Sequence, residues 1–289
     1  MFIELKRCPP WALLSLAANG FMIVTLTWVL LGEYQQSTSN PVSHPVVTTR
    51  ILNPTPEPVI ELGPRHQLNY QQWLALLERE AKVVANQQPE QLTVLLGDSL
   101  SLWFPNALLP PKRYWLNQGL SGETSAGLLK RLDILDQTKP EAIFVMIGIN
   151  DLIRGVKDEA ILENQRLTIR YLRRAHTETK IVLQSILPHG AEQATWEGRD
   201  RLLTIPNSRI QNLNQQLKAI AHEEGAIYLN LYPLFADSQG NLQPELSTDG
   251  LHLSPQGYLV WRYGLQIFEQ LILQEGLAIP IAKGTGSRE

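Results

Sequence analysis

Four short stretches of the chain carry side chains that could do nucleophilic chemistry. Gly97-Asp98-Ser99-Leu100-Ser101 follows an apolar run. A serine at a strand end can present its hydroxyl above a sheet, while the next helix start offers N–H groups to a developing oxyanion. Ser99 could equally be a plain helix N-cap. The lipase elbow G-x-S-x-G is not matched, because position 101 is serine. In Asn117-Gln118-Gly119-Leu120-Ser121-Gly122-Glu123-Thr124, the missing Cβ of Gly119 allows close backbone approach, so its N–H can point into a site. The same stretch could be an ordinary turn before a helix capped by Thr124 or Ser125. No Gly-Lys-Ser/Thr is present, which removes a phosphate loop. In Gly148-Ile149-Asn150-Asp151 the Asn150 amide can donate to an oxyanion, and Asp151 can cap the next turn. In Thr248-Asp249-Gly250-Leu251-His252 the carboxylate stands three residues before the imidazole. One loop can then hold both, the Asp fixing the tautomer while the other nitrogen faces a serine. A loop Asp beside an unrelated His, or a metal pair, are the alternatives. Metal fits less well, since two ligands need a third or fourth and no HExxH or Cys/His cluster is present.

Such groups need a scaffold. Helical spacing of Trp73, Leu74, Leu77, Ala81 and Val84 predicts a helix over Tyr70–Ala85. Strands are predicted at Leu92–Leu96, Arg113–Asn117, Ala142–Ile147, Ile181–Ile186 and Ala226–Leu231. Helices are predicted at Ala126–Gln137, Glu159–Arg174, Ser208–Glu223 and Pro255–Gln274. Continuous apolar strands alternating with amphipathic helices indicate a parallel sheet covered on both faces. The expected fold is α/β, a three-layer α/β/α sandwich. Ligands on such sheets bind beyond the carboxyl ends of the strands, where all four stretches fall. The segment Pro188–Pro206, with His189 and Trp196, reads as a lid or substrate-facing loop, and His222-Glu223-Glu224 as a solvated helix end.

The four blocks in this order, GDSL, the Gly119 loop, GIND and DGLH, resemble the SGNH or GDSL hydrolase family over roughly Leu92–Ile272. The resemblance implies a five-stranded parallel, flavodoxin-like sheet. It also implies Ser99 as nucleophile, His252 as base and Asp249 as its orienting partner. The oxyanion hole would be the Ser99 N–H, the Gly119 N–H and the Asn150 side chain. No metal or organic cofactor is implied.

The remainder of the chain sets the setting. Of 289 residues, 25 are basic and 28 acidic, a net charge of −3, so there is no basic footprint for nucleic acid. A single cysteine, Cys8, excludes an intrachain disulfide. Between Arg7 and Glu33 there is no charge, and Trp11–Leu31 is 21 residues of mostly apolar sequence flanked by Trp11 and Trp28. That length predicts one membrane span with its N-terminus in the cytoplasm, the rival being a cleaved signal peptide. The expected organisation is a cytoplasmic stub and anchor over 1–34, a Pro/Ser/Thr-rich linker over 35–64, the hydrolase domain over 65–281 and a polar tail over 282–289.

The expected activity is that of a membrane-anchored serine esterase acting outside the cytoplasm through an acyl-serine. Its partners would be the membrane and an ester, either O-acyl (acetyl) groups on a carbohydrate or lipid acyl esters. The apolar residues Leu102, Trp103, Phe104, Leu108 and Leu109 suit a lipid chain, but a helix packed on the sheet needs them too. An acyltransferase using the same acyl-enzyme, or a tethered binding protein without hydrolysis, are the alternatives.

Overall fold

The computed structural model describes residues 68–270. The predicted anchor, linker and polar tail lie outside the described residues. Among the described residues, no helix is long and apolar enough to cross a membrane.

Five strands form one parallel sheet: β1 (Leu92–Gly97), β2 (Tyr114–Gly119), β3 (Ala142–Met146), β4 (Lys180–Gln184) and β5 (Ile227–Leu229), in the order β2-β1-β3-β4-β5. This is the doubly wound order with a switch point between β1 and β3. Every residue of β1 and of β3 is buried, which is why these strands read as unbroken apolar runs. Alternate residues go to opposite faces. Val94, Leu96, Ile143, Val145 and Leu183 form one core with Ile161, Ile169 and Leu172 of α5 (Asp158–Ala175) and Ile210, Leu213 and Leu217 of α7 (Asn207–Glu223). Leu95, Phe144 and Val182 form the other with Phe104 and with Trp261, Leu265 and Phe268 of α9 (Pro255–Phe268). The helix α1 (Tyr70–Gln87) adds Ala81 and Val84 to the first core. The three layers expected from the periodicity are thus present.

The short helices complete the list: α2 (Ser99–Leu102), α3 (Ser125–Leu129), α4 (Ile149–Ile153), α6 (Arg199–Leu203) and α8 (Tyr232–Phe235). Three expectations are corrected. The helix predicted over Ala126–Gln137 stops at Leu129 and resumes as a 3-10 turn over Leu132–Leu135. Between them Arg131 turns inward, where its Nε meets Glu123 Oε2 at 2.8 Å and its Nη2 donates to Gln118 O at 2.9 Å. Both charged side chains are 3% exposed, and a buried charge is held only with such partners. Of the two readings of Pro188–Pro206, lid or substrate-facing loop, the free lid gives way to an anchored loop. His189 is buried with its Nε2 on Ile205 O at 2.6 Å, and Gly190, Thr195 and Trp196 N–H groups donate to the carbonyls of Gly250 and Asp249. At the end of α7, Glu224 is not simply solvated, because Arg166 and Arg170 bracket its carboxylate.

Candidate active site

The turn from β1 into α2 is held open by a glycine and closed by a carboxylate. A Cβ on Gly97 would lie 2.4 Å from Met146 O on β3, so only glycine fits there. Asp98, not Ser99, is the N-cap: its side chain accepts from Leu100 N at 3.0 Å. Ser99 is therefore the first helical residue, 7% exposed, with its backbone N–H in the unpaired first turn. Across the fold, Tyr258 of α9 donates its hydroxyl to Leu100 O at 3.1 Å and ties the Ser99 turn to the helix after the His252 loop.

Asp98 is buried beside that turn. Burial, reinforced by the nearby Asp151 and Glu123 carboxylates, pushes its carboxyl up to about 7, against the lowering effect of the Leu100 N–H. Between pH ~4 and ~7 the folded protein thus binds more protons here than the unfolded chain, so stability falls as pH rises through that window. In Asp98→Asn the cap survives and the titration goes. Urea midpoints measured from about pH 4.5 to 8 should decline less steeply than in the wild type; an unchanged slope would assign the titration elsewhere.

The loop after β2 behaves differently from expectation. A Cβ on Gly119 would sit 2.2 Å from Leu102 N, so this glycine lets β2 pass against α2. Its N–H donates to Asn117 Oδ1 at 2.9 Å, while Asn117 Nδ2 donates to Ser101 O at 2.6 Å. The expected free donor at Gly119 is thus engaged in holding the loop to α2. Three residues on, Gly122 has φ +73°, and its carbonyl accepts from Arg154 Nη2 at 2.6 Å at the end of α4. The Gly122 N–H makes no hydrogen bond among the described residues. Sequence reasoning passed over Gly122; a second glycine just before the capped helix start at Thr124 was the available signal.

Asn150 is the second residue of α4, after Gly148 at φ +134°. Its Nδ2 is buried and has no hydrogen-bond partner among the described residues. An orphaned buried donor is rare enough to need an explanation. Next to it, Asp151 does not cap its own turn. Its carboxylate accepts from Ser125 N at 2.8 Å and Ser125 Oγ at 2.6 Å, which ties the Asn150 helix to the end of the Gly122 loop.

Asp249 and His252 share one loop, as the spacing predicted. Asp249 Oδ2 lies 2.8 Å from His252 Nδ1, and Oδ1 accepts from His252 N at 2.7 Å and Leu251 N at 2.9 Å. Burial works to raise the Asp249 carboxyl, but these bonds outweigh it and hold it below the ordinary value. The His252 ring lies over Trp103, the residue capping α2, with centroids 4.4 Å apart and planes at 44°. Residues flanking Ser99 (Asp98, Leu100), Asn150 (Ile149) and His252 (Leu251) line one small cavity, so the three loops converge. Among the described residues no hydrogen bond joins Ser99 Oγ to His252; such contacts often tighten only with substrate in place. Nor does any group of three or more His, Cys, Asp or Glu suit a metal ion among them.

Comparison with known proteins gives a consistent picture. The model of the GDSL-like Lipase/Acylhydrolase family matches residues 95–260. The platelet-activating factor acetylhydrolase IB subunit alpha1 of Bos taurus is 26% identical over 195 residues, covering 64% of this chain and 77% of that protein. An N-acylneuraminate cytidylyltransferase of Streptococcus agalactiae is 27% identical over 201 residues, covering 67% of this chain and 44% of that protein. Among solved structures, one from Streptococcus pneumonia described under platelet activating factor superposes with a TM-score of 0.62 at 25% identity, covering 68% of this chain and 93% of that one. A GDSL-like lipase from Bacteroides thetaiotaomicron superposes with a TM-score of 0.55 at 21% identity over 68% of this chain and 98% of that one, a likeness of fold.

Proposed function

Since the chain belongs to the GDSL-like lipase/acylhydrolase family and is a hydrolase of ester bonds, we propose that Ser99 is its nucleophile, His252 its general base and Asp249 the group that orients the base. His252 takes the Ser99 proton as Oγ attacks the ester carbonyl. The alcohol leaves with that proton, and water activated by the same imidazole releases the acid from the acyl-serine. The observation that carries this reading is the Asp249–His252 contact at 2.8 Å. A carboxylate on Nδ1 makes that nitrogen the donor and leaves Nε2 as the basic one.

For the oxyanion we assign the Ser99 N–H, the Asn150 Nδ2 and the Gly122 N–H. Each lacks a partner within the described protein, whereas the Gly119 N–H is held by Asn117. Arg154, at the end of the helix that carries Asn150, holds the Gly122 carbonyl and supports the third donor's place.

The acyl group is short. Of the apolar residues after Ser99, Phe104 and Leu109 are buried in the core, which leaves Trp103, exposed beside the His252 ring, as the apolar side chain an acyl group would meet. Similarity to proteins named acetylhydrolases favours acetyl, and similarity to an enzyme named for an N-acylated sugar acid favours a carbohydrate carrier. The test is hydrolysis of p-nitrophenyl acetate, butyrate and octanoate by the full chain, with Asn150→Ala alongside. The acetyl ester should be preferred, and the variant should lose about 10²–10³ in kcat with little change in KM. Preference for octanoate would refute the short acyl group, and an undiminished kcat would remove Asn150 from the oxyanion hole.

A further inference from the structure

A polar cleft lies at the β5 edge of the sheet. On the inner side of α7, Ile210, Leu213 and Leu217 are fully buried. Beside it, Gln211, Asn214, Gln215 and Lys218 follow the i, i+3, i+4, i+7 spacing that puts four side chains on one helix face. That polar face forms one wall of a cleft of about 650 Å³. The opposite wall comes from Tyr228 and Asn230 at the end of β5, from Tyr232, and from the turn Asp237–Gly240. A cleft of this size lies within the range of small-ligand sites, ~300–1,000 Å³.

Part of this cleft is already braced. Tyr232 donates its hydroxyl to Gly240 O at 2.6 Å and accepts from Gln211 Nε2 at 3.1 Å. Asp237 Oδ1 accepts from Gln239 N at 2.8 Å and Asn241 N at 2.9 Å, fixing the turn. Asn214 is spent on both polar groups of Ile186. The rest is unspent. The side chains of Gln215, Lys218, Asn230 and Gln239 line the cleft and make no hydrogen bond among the described residues.

The chemistry of these groups selects a ligand class. Primary amides donate and accept at once from one plane, as paired hydroxyls do in return. The one cation, Lys218, is balanced by the one anion, Asp237, so neither a phosphate nor a metal ion is favoured. The cleft lies at the carboxyl end of β5, the side of the sheet on which the strands deliver Ser99 and Asn150. Its turn is also joined to the site: Leu242 N donates to His189 O at 3.1 Å, and Gly190 N donates to Gly250 O at 2.7 Å in the Asp249–His252 loop.

We propose that this cleft binds a neutral oligosaccharide, the carrier chain of the ester that Ser99 hydrolyses. The inference rests on the acylated-carbohydrate reading for its purpose, but the binding itself needs no ester. It is tested by calorimetric titration of the full chain with unacylated xylohexaose, cellohexaose and chitohexaose. The same titration is run on the double variant Gln215→Ala/Asn230→Ala, two exposed positions outside the catalytic loops. At least one hexaose should bind saturably, and the double variant should bind it about tenfold more weakly, the loss of two hydrogen bonds. The variant should keep the wild-type melting midpoint and the wild-type rate on p-nitrophenyl acetate. No binding of any of the three up to about 10 mM, a level that detects even millimolar affinity, or binding untouched by the double variant, would overturn the proposal. A protein that binds the hexaose but fails to cleave p-nitrophenyl acetate would refute the esterase reading while leaving the cleft standing.

Discussion

Hydrolysis of p-nitrophenyl acetate falls by about 10⁶ in kcat when Ser99 is replaced by Ala, the size of loss seen when a triad nucleophile is removed. Asn150 and the loop N–H groups remain in the variant, so a residue of about 10³–10⁴ over water can persist from electrostatic stabilisation and binding alone. The fold should not register the change. Asp98 supplies the helix cap, and Ser99 Oγ has no hydrogen bond among the described residues, so its removal strands no buried partner. A melt matching the wild type is therefore the control that turns lost activity into a statement about chemistry. A variant keeping a tenth or more of the rate would place the nucleophile elsewhere.

Asp249→Asn is the second large effect, about 10⁴ in kcat/KM. The substituted amide still has one oxygen for the backbone N–H groups of Leu251 and His252, which Asp249 Oδ1 serves at 2.9 and 2.7 Å. What it presents to Nδ1 is an N–H. The imidazole then meets a donor where it had an acceptor, takes the other tautomer, and carries its proton on Nε2, where no proton can be accepted from serine. The stability of this loop has its own pH signature, opposite in sign to that of Asp98. Because the Asp249 carboxyl sits below its ordinary value in the folded protein, its contribution is complete above pH ~4 and is lost as pH falls through the lower folded value. Acid melts of the wild type and Asp249→Asn should therefore converge below about pH 4, and divergence there would assign the acid loss to another carboxylate.

How much of this was readable in the sequence depends on whether the deciding interaction is local. The strands were legible because β1 and β3 are buried on both faces and so must be apolar throughout. The pairing of Asp249 with His252 was legible because three residues of spacing fit one loop. The helix break at Arg131 was not, since Leu128, Leu129, Leu132 and Leu135 keep helical spacing across it. Its cause is Glu123, eight residues away, inside the protein. The two loop glycines could not be told apart for the same reason. Gly119 and Gly122 are alike on paper, and only the Asn117 side chain and a positive φ at Gly122 separate a packing glycine from a free donor. Pro188–Pro206 reads as a lid or substrate-facing loop from its polar and charged residues between two prolines. Three of its N–H groups, on Gly190, Thr195 and Trp196, are spent on the backbone of Gly250 and Asp249, a partnership with no mark in side-chain identity.

The bond from the Tyr258 hydroxyl to Leu100 O joins positions 158 residues apart. Closing so long a loop carries an entropic cost that must be met before the contact rewards it. The β1 turn bearing Ser99 emerges from the ribosome early, whereas the loop bearing His252 and the helix that pins it are among the last described elements to be synthesised. On the proposed roles, a chain synthesised only as far as β4 carries Ser99 and Asn150 but lacks His252. If His252 is the base as proposed, recovery of ester cleavage during refolding should follow the docking of α9 rather than the growth of the sheet.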